Sequence, residues 1–186
     1  TVGYGSPNVT DRIDISGAPM SLTHHVQSFF QGNRFLLSHL ASRVLEQVPG
    51  GQVAELYAGV GLFAVALAAR GFGDIVAVEG DRSSARDLET NAAAYGGAIR
   101  VEHASAEDYL ARRSTTRPDT LVLDPPRTGL SREAMSGILG LKIPRIVYLS
   151  CDLATVARDV RRFAEAGYSL EHIESFDLFP NTAHVE

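Results

Sequence analysis

The chain has 186 residues, a formal net charge of −5, 45% apolar residues and 21% charged residues. This composition is that of an ordinary globular domain, and the length suits a single domain with a sizeable core. The acidic balance argues against a protein that coats nucleic acid through bulk positive charge, although it leaves local RNA contact open. A single cysteine excludes a disulfide framework and a four-cysteine metal site within the chain.

Other broad classes are also disfavoured. No apolar stretch reaches the roughly 18 residues of a membrane span, and the N-terminus lacks a basic region followed by an apolar one. We therefore expect a soluble, cytoplasmic protein without membrane contact. The six histidines show no spacing typical of a metal site, and no metal is predicted.

The N-terminal region predicts a β-hairpin. Residues 1–32 carry glycines and prolines among short alternating runs such as 12–16. From Asn33 onward, apolar residues recur at helical spacing until Pro49. The expected organisation is a hairpin segment over 1–32 that precedes a domain over 33–186.

Strands and helices then alternate, which predicts a doubly wound, mostly parallel α/β sheet of the Rossmann-like type with helices on both faces. The expected strands are 53–57, 74–79, 99–103, 119–123 and 145–149, and the expected helices are 62–70, 83–95, 107–112, one opened by Ser131, and 154–166. Two final β patterns cover 169–176 and 184–186. The last is too short for a strand, so we expect the chain to be cut at its C-terminus, and the start at Thr1 indicates an N-terminal cut as well.

An acid and the only cysteine follow two successive strand patterns. Asp124 comes directly after one apolar run, and Cys151 follows the next one. Ligands of open α/β sheets bind at the carboxyl ends of the strands. If the two strands are neighbours, the carboxylate and a candidate nucleophile meet at that edge, whereas an isolated buried cysteine would be inert.

A glycine turn after the first strand predicts a cofactor site. Gly59 and Gly61 let the backbone approach a ligand, and Glu79, 20 residues after Gly59, can accept the hydroxyl groups of a ribose. Ala64 stands where a dinucleotide fingerprint has glycine, which favours a cofactor without phosphates. This order of elements is similar to that of class I methyltransferases that use S-adenosylmethionine. Ser105 then falls where such folds contact adenine, or it simply caps a helix.

Five ordered blocks resemble the RNA 5-methyluridine (uracil-C5) methyltransferases. They are SFFQ-x-N at 28–33, LYAGVG at 56–61, DPPR-x-G at 124–129, LSCD-x-AT-x-ARD at 149–159 and D-x-FP-x-T-x-HVE at 177–186. The resemblance covers the catalytic domain only. It implies that S-adenosylmethionine is the cofactor, that a single-stranded loop uridine of tRNA or rRNA is the substrate, and that an RNA-binding domain is missing from the chain.

The resemblance also implies roles for individual residues. Cys151 would add to carbon 6 of uracil, and Glu186 would remove the proton from carbon 5. Asp124 would contact the cofactor or the uracil edge, Gln31 would lie near both ligands, and Phe29 could pack on the extruded base. Tyr57 belongs with the glycine turn to the cofactor residues.

Arginines and two competing functions complete the expectations. Arg127 either holds a phosphate or pairs with an acid such as Asp152, and Arg158, Arg161 and Arg162 are expected to form a solvated helix face. One alternative is an amino-group methyltransferase that uses the Asp-Pro-Pro turn, although Arg127 stands where an aromatic residue would stack on the base. The other is a fragment that binds cofactor or RNA without catalysis.

Overall fold

Strands and helices alternate along most of the chain. The computed structural model describes residues 5–15, 17–28, 30–112 and 116–178. Its strands are β1 (Asn8–Ile15), β2 (Ala18–His25), β3 (Val53–Leu56), β4 (Ile75–Glu79), β5 (Ile99–His103), β6 (Thr120–Leu123) and β7 (Arg145–Tyr148), and its α-helices are α1 (Arg34–Glu46), α2 (Leu62–Ala69), α3 (Arg82–Ala92), α4 (Ala106–Ala111), α5 (Arg132–Leu141) and α6 (Leu153–Glu165). A 3-10 turn, Ala93–Tyr95, follows α3. No helix in these described ranges is both long and apolar enough to cross a membrane.

Five parallel strands form the central sheet in the order β5-β4-β3-β6-β7. The two antiparallel strands β1 and β2 form a separate hairpin. The predicted hairpin and the predicted parallel α/β sheet are therefore confirmed, with strand and helix ends that differ by only a few residues.

The sheet separates two apolar cores. Val53 and Val122 face the core that contains residues of the hairpin, α1, α2 and α3. Ala54 and Leu121 face the core that contains residues of α4, α5 and α6. Because successive strand residues point to opposite faces, burial on both sides explains why β3 and β6 are mostly apolar. The exceptions are Thr120, which begins β6, and one residue of β3 that is described below.

The chain reverses its direction of travel across the sheet between β3 and β6. After β3 it builds β4 and β5 on one side, and it then returns to build β6 and β7 on the other. The loops that leave β3 and β6 therefore diverge toward opposite faces, which opens a crevice at the carboxyl ends of these two strands. This is where the described segments that follow β3, β4, β6 and β7 come together.

The hairpin is held to α3 by side chains that bond its backbone. The amide of Asn91, which is buried, accepts from Thr23 N at 2.9 Å and donates to the carbonyl oxygens of Thr23 at 3.0 Å and Val60 at 2.9 Å. Asp87 accepts from His25 N at 2.9 Å and from the Ser28 hydroxyl at 2.6 Å. Asn91 thus joins the hairpin and the glycine turn to one helix.

The predicted strand over 169–176 is wrong, since the backbone there is irregular. Its apolar residues do not form a buried face, because Leu170 is 62% exposed and Ile173 is 74% exposed. This segment and β7 both line a cavity of about 850 Å³. A strand needs a hydrogen-bonded neighbour, which an alternating sequence pattern alone does not supply. The predicted β pattern at 184–186 lies outside the described residues.

Replacing Asn91 with Asp tests the bonds by which α3 holds the hairpin and the glycine turn. The carboxylate can still accept from Thr23 N, but the carbonyls of Thr23 and Val60 lose their donor and a charge enters a buried position. We expect urea unfolding to show a loss of about 2–4 kcal/mol in the free energy of unfolding. Thr90→Ala, at an exposed position of the same helix, should change it by less than about 0.5 kcal/mol. Equal losses in the two variants would contradict the assignment.

Candidate active site at the carboxyl edge of the sheet

The turn after β3 has a left-handed backbone at three positions. The φ angles are +63° at Tyr57, +56° at Gly59 and +95° at Gly61. A Cβ added at Gly61 would lie 2.5 Å from Leu88 Cδ1, whereas one added at Gly59 would meet no atom within 4 Å. Gly61 is thus required by packing against α3, and Gly59 faces open space into which a ligand can come close to the backbone.

Glu79, at the end of β4, bonds the glycine turn. Its Oε2 accepts from Gly59 N at 2.7 Å, and its Oε1 accepts from Asp81 N at 2.6 Å. Each carboxylate oxygen keeps a second lone pair, which can accept a hydrogen bond from a ligand hydroxyl group. Glu79 therefore shapes the turn and remains able to bind a ribose.

Glu55, in the middle of β3, is a site residue that the sequence analysis did not identify. It is 1% exposed, and its Oε2 accepts from Ala64 N in the first turn of α2 at 2.8 Å. Burial raises its pKa to about 8, and the nearby Asp124 and Glu79 carboxylates add to this rise against the opposing hydrogen bond from Ala64 N. The available signal was a charged residue inside an apolar strand that is buried on both faces.

Gln31 is buried at 9% exposure, and its Oε1 has no hydrogen-bond partner among the described residues. Along the chain it lies between Ser28, which bonds Ser83 and Asp87 of α3, and Asn33, which donates to the carbonyl of Leu178 at 3.3 Å. A buried carbonyl oxygen without a donor is costly, and a bound ligand would satisfy it. Two other predicted site residues, Phe29 and Glu186, lie outside the described residues.

Ser105 adopts the structural alternative. Its hydroxyl accepts from Asp108 N at 3.0 Å and is the N-cap of α4. The residue still lies just beyond the end of β5, next to the other turns of this edge.

Asp124 and Cys151 lie at the ends of two hydrogen-bonded neighbours. Leu123 of β6 is in register with Tyr148 of β7, and Leu149 N donates to Leu123 O at 2.8 Å. Asp124 follows Leu123 directly, Cys151 lies two residues after Leu149, and both are half-buried. Burial raises the pKa of Asp124 to about 6. The predicted adjacency of these two strands is therefore confirmed.

The arginines differ from expectation in part. Arg127 is exposed and, among the described residues, its side chain has no ion-pair partner, so the suggested pair with Asp152 is absent. Arg161 pairs with Glu165 on the exposed side of α6, as expected for a solvated face. Arg158, in contrast, bonds the fully buried Asp159. The arginine spacing did not reveal this bond, because the acid lies between arginines that themselves reach solvent.

Three carboxyl groups, those of Glu55, Glu79 and Asp124, interact electrostatically at this edge, since the latter two raise the pKa of the first. Such a site favours a ligand that carries positive charge and offers hydroxyl or N–H donors. No group of His, Cys, Asp and Glu side chains that could hold a metal ion occurs in the described part of the chain. The arrangement therefore combines carboxyl groups at β3 and β4, which favour a cationic ligand, with a thiol and a carboxyl at β6 and β7.

Known proteins are similar to this chain in sequence. The family model described as tRNA (uracil-5-)-methyltransferase matches residues 2–186. An uncharacterized RNA methyltransferase of Streptomyces coelicolor is 36% identical over 190 residues, which cover 98% of this chain and 40% of the relative. The 23S rRNA (uracil(1939)-C(5))-methyltransferase RlmD of Halomonas elongata is 37% identical over 153 residues, which cover 81% of this chain and 31% of the relative.

A solved structure agrees with these relatives. The tRNA (uracil-54, C5)-methyltransferase of Pyrococcus abyssi, crystallised in complex with S-adenosyl-L-homocysteine, superposes with a TM-score of 0.84 at 31% identity. The match covers 98% of this chain and 43% of that chain. The chain spans only 32% to 40% of the length of the first three curated relatives.

The pKa of Glu55 predicts a pH dependence of stability. Because it is about 8 in the folded protein against an ordinary 4.5, the folded state holds a proton that the unfolded state releases between these values. The free energy of unfolding should therefore fall as pH rises from 4.5 to about 8, by up to roughly 5 kcal/mol from this group, and no further above that.

Glu55→Gln removes the titrating group while keeping an oxygen that can accept from Ala64 N. Urea unfolding between pH 5 and 9 should give a flatter profile for this variant than for the wild type. Glu89→Gln, at an exposed position of α3, is the matched control and should keep the wild-type slope. A slope unchanged by Glu55→Gln would refute the assignment.

Proposed function

The chain belongs to the tRNA (uracil-5-)-methyltransferase family, and we propose that it acts as an S-adenosylmethionine-dependent enzyme that forms 5-methyluridine in tRNA or rRNA. The observation that carries this proposal is the pairing of β6 with β7, which brings the segments that hold Asp124 and Cys151 to one edge of the sheet. The glycine turn, with its bond to Glu79, follows β3 at the same edge.

Residues at the ends of β3 and β4 fit the cofactor. Gly59 faces open space, Glu79 keeps acceptor capacity for ribose hydroxyls, and Gln31 has a buried oxygen that lacks a donor. Tyr57 and Gly61 shape the turn, while Ser105 follows β5 nearby. When bound, S-adenosylmethionine supplies a methyl group on a positively charged sulfonium. The carboxylates of this edge favour that positive charge.

Cys151 is proposed as the nucleophile. Carbon 5 of uracil is a poor nucleophile, so the thiolate first forms a bond to carbon 6, and the electron pair of the carbon 5–carbon 6 double bond moves into an enolate. Carbon 5 of this enolate would then bond the methyl group as the bond from methyl to the sulfonium sulfur breaks, and the electron pair of that bond would stay on sulfur as a neutral thioether. Asp124 is proposed to orient the reactants through the methionine end of the cofactor or through the uracil edge.

A base must complete the reaction. Removal of the carbon 5 proton returns its electron pair to the ring, the carbon 6–sulfur bond breaks, and the thiolate is restored together with the double bond. Family resemblance proposes Glu186 for this step. The substrate uridine must leave its stack to reach the thiol, so an unpaired loop in tRNA or rRNA is the expected target, and Arg127, exposed beyond β6, is available for a phosphate.

An RNA that carries 5-fluorouridine tests the covalent step. Fluorine at carbon 5 cannot leave as a proton does, so the adduct on Cys151 should persist and migrate as a protein–RNA band on a denaturing gel. We expect full-length protein with S-adenosylmethionine to form this band, and Cys151→Ala to form none. Arg161→Ala, an exposed position on the helix that follows the thiol, serves as a control and should match the wild type. A band that survives Cys151→Ala would overturn the proposed nucleophile.

The pKa of Asp124 predicts the acidic limb of the rate profile. Both proposed roles need the ionised carboxylate as an acceptor, and burial raises the pKa to about 6. Methylation rates should therefore rise as pH increases through about 6. Asp124→Asn should be at least about tenfold slower and lack this limb.

Asp119→Asn, at the opposite end of the same strand segment, should keep the wild-type profile. The measurement is the initial rate of methyl incorporation into RNA between pH 5 and 7.5. An acidic limb that persists in Asp124→Asn would assign the titration to another group.

A further inference from the structure

Side chains of α6, the helix that follows Cys151, bond the loop 124–130 that begins at Asp124. Asp159 of α6 is 0% exposed, and its Oδ2 accepts from Leu130 N at 3.0 Å and from the Tyr148 hydroxyl at 2.9 Å. Arg158 donates to the same carboxylate from Nε at 2.9 Å and from Nη2 at 3.1 Å. One buried carboxylate therefore joins the end of that loop, strand β7 and helix α6.

Two further side chains of α6 bond the same loop. The Thr155 hydroxyl donates to the carbonyl of Arg127 at 3.0 Å, and Arg158 Nη2 donates to the carbonyl of Thr128 at 2.9 Å. Together with the bond from Leu130 N to Asp159, three peptide groups of the loop 124–130 are bonded by one helix.

Gly129 shows how closely loop and helix approach each other. Its φ is +72°, and an added Cβ would lie 2.3 Å from Thr155 Cγ2 and 2.5 Å from Asp159 Oδ2. No side chain fits between the two segments. The loop therefore rests directly on the helix, and a change in α6 must be transmitted to it.

The same helix is anchored beside the thiol. Asp152, next to Cys151, is the N-cap of α6 and accepts from Thr155 N at 2.7 Å. Thr155 is thus bonded on one side to the turn that holds the nucleophile and on the other to the loop that begins at Asp124.

The charge state of this cluster is fixed around neutral pH. Burial alone would raise the pKa of Asp159, but the hydrogen bonds from Arg158, Leu130 N and Tyr148 outweigh burial and hold the pKa below its usual range. Asp159 therefore stays ionised and keeps its donors at every pH at which RNA methylation would be measured.

We propose that Asp159, Thr155 and Arg158 form a positioning clamp that fixes the loop 124–130, and with it Asp124, relative to Cys151. The proposal rests on the proposed function, because it assigns to these residues the alignment of the two reacting groups. None of the three is a catalytic residue. Their effect is on the covalent step, because the glycine turn and the start of α2 are held by other bonds, to the carboxyl groups of Glu79 and Glu55.

Thr155 offers a matched pair of variants. Thr155→Val keeps the shape and removes the hydrogen bond to the Arg127 carbonyl, whereas Thr155→Ser keeps the hydroxyl. In full-length protein with 5-fluorouridine RNA, we expect the single-turnover rate of adduct formation to fall about tenfold in Thr155→Val and to stay near wild type in Thr155→Ser. Asp159→Asn, which disrupts bonds to both loop and strand, should be slower by roughly 100-fold.

A second pair of variants uses two glycines with a left-handed backbone, Gly129 in the loop and Gly167 just beyond the end of α6. Gly129→Ala places a methyl group against Thr155 and Asp159, whereas Gly167→Ala, at a φ of +96°, meets no atom within 4 Å. Both variants carry the same kind of backbone strain. Only Gly129→Ala should slow adduct formation, and it should do so at temperatures well below unfolding.

Binding of S-adenosylhomocysteine, measured by calorimetry, separates positioning from general damage. We expect its Kd to stay within about threefold of wild type in Thr155→Val, Asp159→Asn and Gly129→Ala. If the wild type forms the adduct and both Thr155→Val and Gly129→Ala form it at the same rate, the clamp is overturned and the proposed function stands. Equal losses of rate and affinity in every variant would also overturn the clamp alone. If Asp159→Asn does not fold, the threonine and glycine pairs decide. Absence of any adduct in the wild type would overturn the proposed function, and the clamp's role with it.

Discussion

The parallel pairing of β3 with β6 is the contact on which the rest of the site depends. Residues 53–56 are in register with residues 120–123, so the two strands end at the same level. Because the chain leaves β3 toward one face and β6 toward the other, their loops diverge and open a crevice. The glycine turn and the edge with Asp124 and Cys151 are then brought together by backbone hydrogen bonds, although 65 residues separate Gly59 from Asp124 along the chain.

The clustered carboxyl groups at this crevice destabilise the folded protein and favour the binding of a cationic ligand. Glu55 and Asp124 both have pKa values raised by burial, so part of their negative charge is suppressed near neutral pH. A bound cation would stabilise the ionised forms and lower both pKa values again. Sites that bind charged ligands often carry such electrostatic cost, and here it falls on residues next to the turn that approaches the ligand.

Most of the fold could be predicted, because strands that are buried on two faces require apolar runs and the turns between elements require glycine, and both are visible in the sequence. The segment 169–176 could not, since its alternating pattern requires a neighbouring strand that the pattern does not identify. Glu55 and Asp159 were also missed. Each is a buried acid that accepts from a backbone N–H group of another segment, and sequence spacing does not reveal where such a group points.

The site is therefore held in two halves by different means. Carboxylates of β3 and β4 bond the backbone around the glycine turn, and Asn91 adds the hairpin to the same half. The half that contains Asp124 and Cys151 is held by side chains of α6 that bond the loop after β6. The halves meet in the β3–β6 pairing and in both apolar cores, but the side chains that bond the loop after β6 are not those that bond the glycine turn. We therefore expect substitutions in α6 to affect the proposed covalent step more than the affinity for the cofactor.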